Sequence, residues 1–275
     1  MKNILCFYLL LISFNAYNQK LTLVNIEEKR SITGGWDYCT VELKPIGDEV
    51  RNFTYYKINE VKSATDSKGL NLMPENPEEY SYTYIPVTEN LKINLQKASR
   101  SAATMAVNGS VSFIKPTEAN GGIIKISGFR GKPEINLSPK GVAFAMYYYD
   151  KASLTKKSKV DLEKRMAEVE KLPESEQNFA YEINSLVNGM SYYSEEDLNK
   201  TLFFAFNGDN SNILGLEFED AKGKKIAPVS TSITNKVHTY YFNDEILPST
   251  KVILNMVSAK AVKIVPFVLV GLDLP

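Results

Sequence analysis

Four short segments of the chain recur further along it in the same order, and this internal similarity constrains the fold more than any other feature. The corresponding pairs are residues 40–48 and 201–209, 61–74 and 216–228, 80–84 and 238–242, and 91–95 and 251–254. The offset drifts between the pairs, as expected when insertions and deletions fall in loops. The similarity predicts two related domains in tandem.

The recurring segments are typical of β-structure. They are rich in aromatic and β-branched residues, which favour strands. Asp66-Ser-Lys-Gly69 and Asp220-Ala-Lys-Gly223 are matching turn signatures, because Asp accepts hydrogen bonds from the following backbone and Gly tolerates a positive φ. Short strands divided by such turns predict an all-β fold with two immunoglobulin-like or fibronectin-like β-sandwich domains.

Composition suggests where these domains begin and end. We expect the first sandwich over residues 20–127, a linker rich in Gly, Pro and Lys over 128–140, and the second sandwich over 141–275. The apolar run at 262–270 predicts the last strand. Its Pro266 indicates an edge or a strand start, because proline cannot donate a hydrogen bond to a ladder.

A helical hairpin is predicted inside the second domain, over residues 158–189. Ser158 followed by Asp161 resembles an N-terminal cap, and Pro173 divides two apolar stripes at helical spacing. The first stripe is Leu162, Met166 and Val169, and the second, which ends at Gly189, is Phe179, Ile183, Leu186 and Val187.

The N-terminus predicts export. Lys2 precedes an apolar stretch at residues 4–14 and a polar exit, a pattern that describes a signal peptide over 1–19 better than a membrane span of about 20 apolar residues. We expect cleavage after Ala16 or near Gln19, and a secreted or periplasmic bacterial protein with no membrane span in the mature chain. The alternative is an uncleaved anchor or a buried first strand.

Charge and cysteine content exclude some partners and some sources of stability. Lys plus Arg equals Asp plus Glu at 32 each, so no net field draws the protein to nucleic acid or anionic lipid. The run Lys156-Lys157-Ser-Lys159 is too short to indicate a polyanion site. Removal of the signal leaves Cys39 as the one cysteine, so both domains must be stabilised by packing without an intrachain disulfide.

The sequence contains no recognisable catalytic constellation. Cys39 is interpreted as a small buried apolar residue, because the only histidine, His238, belongs to the other predicted domain. Acidic clusters at 75–79 and 195–197 suit solvated loops, and the 209–213 loop fails the calcium-binding pattern. We therefore expect no enzyme, cofactor or metal site, with an unrecognised glycoside hydrolase as the enzymatic alternative.

An aromatic stripe is the first candidate site. Tyr80, Tyr82 and Tyr84 alternate and so share one face of a strand, and Tyr240 and Phe242 occupy matching places in the second copy. Rings with polar tips can stack on sugars, which predicts a carbohydrate-binding face. The replacement of Tyr84 by Phe242 favours the alternative, a core stripe present in both domains.

The predicted hairpin is the second candidate site. An amphipathic helix can bind in a partner's groove, although its apolar face can instead cover the sheet beneath it. The residues expected to contact a partner are Leu162, Met166, Val169, Phe179 and Ile183. We therefore expect an exported, non-enzymatic binding or scaffolding protein that acts through protein–protein contacts at the cell envelope, with glycan binding as the alternative.

Overall fold

The computed structural model describes residues 21–31, 37–75, 82–234 and 236–275. The predicted signal peptide and Tyr80 lie outside these residues. Strands are the main regular structure of the described chain, at 43% of residues against 21% in helices, and they form four antiparallel sheets, which confirms the all-β prediction in its general form. Its elements divide into two compact units, Met1–Lys115 with Ala259–Pro275, and Pro116–Ser258.

The strands and helices follow one another in this order: β1 (Leu21–Lys29), β2 (Tyr38–Pro45), β3 (Tyr55–Asp66), β4 (Ile85–Pro86), β5 (Leu91–Leu95), β6 (Thr104–Ile114), β7 (Ile123–Ile126), β8 (Phe144–Tyr149), α1 (Lys151–Ser158), α2 (Leu162–Val169), α3 (Glu174–Gly189), α4 (Glu195–Asn199), β9 (Thr201–Gly208), β10 (Ile213–Glu219), β11 (Lys225–Ile226), β12 (Ser230–Ile233), β13 (Val237–Tyr241), β14 (Lys251–Met256) and β15 (Val262–Asp273).

The first unit consists of two sheets that share one core. The sheets have the orders β1-β2-β5 and β15-β6-β3-β4. Alternate side chains of both, such as Val41 and Ile93 of the first and Phe113 and Phe267 of the second, belong to a single hydrophobic cluster. This alternation follows from the two-residue period of a strand. β15 is an edge strand, as Pro266 predicts.

The second unit adds a layer of helices to two sheets. The sheets have the orders β11-β10-β14-β7 and β12-β13-β9-β8. Phe204 and Phe206 of β9 pack with Phe218 of β10 in the core between the sheets. Phe203 and Ala205, the intervening residues of β9, pack against α3 on the other face. β9 is therefore buried on both faces, which explains its nearly continuous apolar sequence.

α1, α2 and α4 begin at side-chain caps, whereas α3 follows Pro173 without one, and the cap of α2 differs from the prediction. The Asp150 carboxylate accepts a hydrogen bond from the Ser153 backbone N–H at 2.7 Å and so caps α1. Ser158 is the last residue of α1, and Asp161 itself caps α2 by accepting from the Glu163 N–H at 2.8 Å. Ser158 is thus wrong as a cap, because it ends α1, a helix that starts at Lys151, seven residues before the predicted hairpin. The second predicted helix is confirmed as α3, which ends at Gly189.

The two predicted Asp–Gly turns have the same geometry. Asp66 Oδ1 accepts hydrogen bonds from the Lys68 and Leu70 backbone N–H groups at 2.8 and 2.9 Å. Asp220 Oδ1 does the same for residues 222 and 224, both at 2.8 Å. Gly69 and Gly223 have φ values of 85° and 83°, a region that glycine occupies at low cost.

Strand pairing supports the first two sequence correspondences and not the last two. β2 lies between β1 and β5 as β9 lies between β8 and β13, and β3 neighbours β6 as β10 neighbours β14. By this pairing the counterpart of β5 is β13, whereas the sequence similarity matched β5 with β14. Residues 82–84 lie outside any strand, whereas 238–241 lie in β13.

The compact units divide the chain at points other than those expected. β7 pairs with β14 and so belongs to the second unit, although residues up to 127 were assigned to the first domain. β15 pairs with β6 from Ile114↔Val262 onwards and belongs to the first unit, although residues 141–275 were assigned to the second domain. Residues 116–258 therefore intervene between two adjacent strands of the first unit.

Candidate functional site

The aromatic residues predicted to bind sugars are largely core residues. Tyr240 and Phe242 are 3% and 1% exposed, and both rings pack edge-on against Phe218, with centroids 4.9 and 5.2 Å away. Their burial excludes stacking on a sugar. Tyr82 is half-buried against the core of the first unit. Tyr84 is half-buried too, and Lys57 Nζ lies 4.7 Å from its ring centroid.

No other tyrosine set in the described residues offers a flat exposed face. Tyr148 and Tyr149 are buried, and Tyr147 packs against Phe179 with ring centroids 5.7 Å apart. Tyr192 is 90% exposed, whereas Tyr193 packs edge-on against Phe203. A sugar platform needs neighbouring coplanar rings, and a single exposed ring does not provide one.

Among the described residues, the one cysteine and the one histidine are both buried. Cys39 is fully buried, as predicted, and burial raises the pKa of its thiol to about 11, which opposes the reactive thiolate form. His238 is buried on β13, and burial lowers its pKa to about 4. Within the described ranges, no group of three or more His, Cys, Asp or Glu side chains could hold a metal ion.

The hairpin residues divide into three environments. Ile183 and Val169 are buried, and Ile183 belongs to the cluster between α3 and the sheet. Phe179 and Met166 are half-buried, and Leu162 is 46% exposed. Most of the apolar stripe of α3 therefore covers the sheet, which is the alternative that the sequence left open for this hairpin.

An apolar groove remains between the helices and β8, with a volume of about 580 Å³. Val169, Phe179 and Ile183, three of the five residues predicted to contact a partner, line it. Its other apolar lining residues are Tyr147, Tyr149, Val160, Leu172 and Ala180, and its polar lining residues are Lys157, Lys164, Arg165, Glu168, Glu176, Asn184 and Asn207. A volume between about 300 and 1,000 Å³ with mainly apolar walls is typical of a binding site.

Tyr147 and Tyr149 line this groove because of the strand period. Side chains of β8 alternate, so Met146 and Tyr148 enter the core between the sheets while Tyr147 and Tyr149 face the helices. Burial raises the pKa of Tyr149, and the nearby Glu134 carboxylate raises it further, so its hydroxyl is protonated at any physiological pH. The sheet thus supplies a rigid aromatic wall with polar tips.

Arg165 joins α2 to α3 beside the groove. Its Nη1 donates to Asn184 Oδ1 at 3.2 Å and its Nη2 to Asn188 Oδ1 at 2.7 Å, while its Nε donates to the Val160 carbonyl at 3.1 Å. All three acceptors are neutral groups, so these contacts hold the guanidinium in place without neutralising its charge. The groove therefore has a fixed positive charge at its polar side.

The surrounding charge is positive as well. Three basic residues, Lys157, Lys164 and Arg165, and two acidic residues, Glu168 and Glu176, line the groove. Lys157 Nζ pairs with Glu134 at 2.8 Å, and Glu168 pairs with Lys171 at 2.6 Å. Lys164 has no ion-pair partner among the residues that the structure describes. The open side of the groove thus combines apolar surface with an excess of positive charge.

Sequence reasoning missed the sheet side of this site. The helical spacing of α2 and α3 identified Val169, Phe179 and Ile183. Tyr147 and Tyr149 come from a strand, and the sequence did not reveal that helices cover the outer face of that strand. One signal was present in the sequence. Residues 142–149 are apolar or aromatic at every position, which indicates a strand buried on both faces rather than on one.

Two further observations bear on the setting of this site. None of the helices in the described parts of the chain is long and apolar enough to cross a membrane. Comparison of the chain with protein-family models, with curated proteins and with solved structures finds no match.

Proposed function

We propose that the protein is an exported, non-enzymatic binding protein whose second unit binds a protein partner at the cell envelope. The groove of about 580 Å³ between the helices and β8 is the observation that carries this proposal. A partner would insert one or two large apolar side chains into it, since protein interfaces concentrate their affinity in buried anchors of this kind. Export rests on the signal-like sequence at residues 1–19.

Exposed apolar side chains near the groove favour a protein over a small molecule. Val160 and Leu172 line the groove and remain exposed, and Leu162 is exposed at the start of α2. A small ligand would be enclosed by the groove and would leave these residues in water, whereas a protein surface would cover them. Exposed apolar surface beside an apolar groove is therefore better explained by a polypeptide partner.

Charge indicates the chemistry of that partner. Lys164 and Arg165 line the groove without an ion-pair partner among the described residues, whereas of the two acidic lining residues, Glu168 and Glu176, Glu168 is paired with Lys171. Opposite charge at the rim of an interface speeds association and selects the partner. The segment that binds is thus expected to carry Asp or Glu next to its apolar anchors.

The fold proposed from the sequence provides the scaffold. We infer that each unit is a variant of an immunoglobulin-like or fibronectin-like sandwich and that α1–α3 are an insertion in the second. The inference is supported by the equivalent pairing of β2 with β9 and of β3 with β10. It is supported also by the matching turns at Asp66 and Asp220. Neither the glycan-binding nor the hydrolase alternative has a comparable observation in its favour among the described residues.

Filling the groove tests the proposal. Ala180 lines the groove, so Ala180→Phe should occupy part of its volume without removing a core side chain. The matched control is Ala167→Phe on α2, where the residue is exposed and does not line the groove. Both proteins should keep the wild-type melting temperature within a few degrees.

The two variants are compared as baits in capture from solubilised cell envelope, with bound proteins quantified by mass spectrometry. We expect one envelope protein to be retained by the wild type and by Ala167→Phe and to fall by roughly tenfold with Ala180→Phe, because an overfilled pocket cannot accept its anchor. Equal capture by both variants would show that the groove is not the binding site.

A further inference from the structure

We infer that the second unit contains a separate site for a small phosphorylated molecule, on a different face of α1 from the groove. A pocket of about 530 Å³ lies there, between α1, the end of β8, the end of α4 and the turn at Phe129–Gly131. Four cationic side chains line it: Arg130, Lys151, Lys156 and Lys159. This site is independent of the proposed protein partner.

The spacing of residues on α1 creates this pocket. Ala152, Thr155, Lys156 and Lys159 are related by spacings of three and four residues (152 to 155 and 156, and both of these to 159), so they share one face of α1 and of the residue that follows it. The short side chains of Ala152 and Thr155 leave room at the middle, and the lysines reach around it. Lys157 lies on another face and lines the groove. The lysines of residues 156–159, a run too short to indicate a polyanion site from sequence, are thus divided between the pocket and the groove.

Arg130 lies outside α1, and the buried side chain of the preceding residue, Phe129, fixes the position of its backbone. Phe129 is fully buried, with its ring 5.1 Å from that of Tyr148 in an edge-on contact. Burial raises the pKa of the Tyr148 hydroxyl, and the positive charge of Arg130 beside it opposes that shift. The guanidinium therefore lies at the Tyr148 side of the pocket, and its planar fork suits the oxygens of a phosphate.

The positive charge of the pocket is only partly compensated. Lys151 pairs with Glu195. Asp150 is the one acidic residue that lines the pocket, and it is occupied in capping α1. In the described part of the chain, no carboxylate lies within ion-pair distance of Arg130, Lys156 or Lys159. A concave site lined mainly by one sign of charge concentrates counter-ions, and the three cations without an ion-pair partner favour an anion with more than one negative charge.

Size and lining define the rest of the ligand. A volume of about 530 Å³ exceeds that of a bare phosphate and fits a small organic molecule. Leu198 provides an apolar contact, and Asn199 and Tyr148 provide polar groups for the organic part. The balanced charge of the whole chain argues against a nucleic acid or an anionic membrane as the occupant.

Binding of inorganic pyrophosphate to the wild-type protein, measured by isothermal titration calorimetry at low salt, tests this inference. We expect saturable binding at one site, and weaker binding of citrate and of sulfate at the same site. Lys156→Gln with Lys159→Gln should weaken pyrophosphate binding by at least about tenfold, because each lost charge-assisted hydrogen bond removes that much affinity. Arg130→Gln should do the same alone.

The matched control removes the same charge elsewhere in the unit. Lys222 and Lys224 are exposed in the Asp220 turn, so Lys222→Gln with Lys224→Gln should leave pyrophosphate affinity within about twofold of the wild type, the small residual effect being that of a distant, screened charge. An equal loss of pyrophosphate affinity in both double variants would show general electrostatic attraction and no specific site. Absence of saturable binding by the wild type would also overturn the inference. Capture of the envelope partner should be unaffected by the pocket variants, so the two proposals fail separately.

Discussion

His238 is the one histidine of the chain, and its buried environment disfavours the protonated imidazole. Its ring centroid lies 4.6 Å from that of Phe206, and Tyr240 Oη lies 3.4 Å from its Nδ1. Burial lowers the pKa of the imidazole to about 4, well below its ordinary value of 6.5. The residue is therefore a neutral part of the core at neutral pH, and protonation competes with folding.

This burial predicts a loss of stability in mild acid. Between pH 6.5 and about 4 the unfolded chain binds a proton at His238 and the folded chain does not, so the free energy of unfolding falls as the pH falls. The loss is about 1.4 kcal/mol per pH unit and about 3 kcal/mol at pH 4. Urea unfolding of the wild type and of His238→Gln at several pH values measures it.

Comparison with His238→Gln isolates the contribution of His238 protonation, because the carboxylates titrate alike in the wild type and in the variant. We expect the stability difference between wild type and His238→Gln to shift steadily against the wild type below pH 6.5 and to level off near pH 4. Parallel pH profiles would mean that the imidazole takes up its proton as readily in the folded protein as in the unfolded one.

For individual residues, the sequence predicted hydrogen bonds between near neighbours in the chain and missed those between distant residues. The Asp66 and Asp220 turns were predictable because each carboxylate binds backbone groups two and four residues on. Asp66 also accepts from the Ser99 N–H at 2.8 Å, a contact that no local pattern reveals. Burial alone would raise the pKa of Asp66, but the hydrogen bonds from Ser99, Leu70 and Lys68 outweigh it and hold the pKa at about 2.

Among the elements, α3 illustrates how one apolar stripe can serve two purposes. Ile183 and Val187 pack against Phe203 and Ala205 on the outer face of β9, while Phe179 lines the groove. Removal of residues 158–189 would leave that face of the sheet in water. The hairpin is therefore part of the core of the second unit and not a detachable appendage.

Ile183 and Leu162 were both predicted to contact a partner, but their substitution is expected to affect stability differently. Ile183→Ala should lower the free energy of unfolding by about 2–5 kcal/mol, because it removes a buried side chain from the cluster between α3 and the sheet and leaves a cavity. Leu162→Ala, at an exposed position, should change it by less than about 0.5 kcal/mol. Denaturant unfolding distinguishes the two, and similar losses would place Leu162 in the core as well.

Element type was predictable from periodicity, whereas pairing was not. Helical spacing located α2 and α3, and composition with turn signals indicated β-structure, although the alternation of Tyr80, Tyr82 and Tyr84 predicted a strand and residues 82–84 lie outside any strand. The sequence matched β5 with β14, because short apolar strands resemble one another and carry no record of their neighbours. Pairing depends on where a strand's partners lie along the chain, and for β5 and β14 those partners are β2 in one case and β10 and β7 in the other.

The order in which the chain passes between the two units could not be predicted from the sequence. β6 and β15 are antiparallel neighbours, yet residues 116–258 separate them. Closing so long a loop costs entropy that grows only slowly with length, and the inserted residues form a compact unit of their own. The sequence of β15 shows an apolar edge strand, but nothing in it distinguishes a strand that completes the second unit from one that returns to the first.

The return of β15 predicts which unit responds to changes at the C-terminus. Phe267 and Leu269 lie in the core of the first unit, whereas Val268 and Val270 are exposed on the same strand. Phe267→Ser with Leu269→Ser should therefore destabilise the first unit by several kcal/mol, at roughly 2–5 kcal/mol for each large core side chain removed. Hydrogen exchange read by mass spectrometry should show lost protection in β3 and β6 and unchanged protection in β9 and β14. Val268→Ser with Val270→Ser, the control on the outer face, should leave both units protected. If β9 and β14 lost protection instead, the last strand would belong to the second unit, as a simple tandem division of the chain requires.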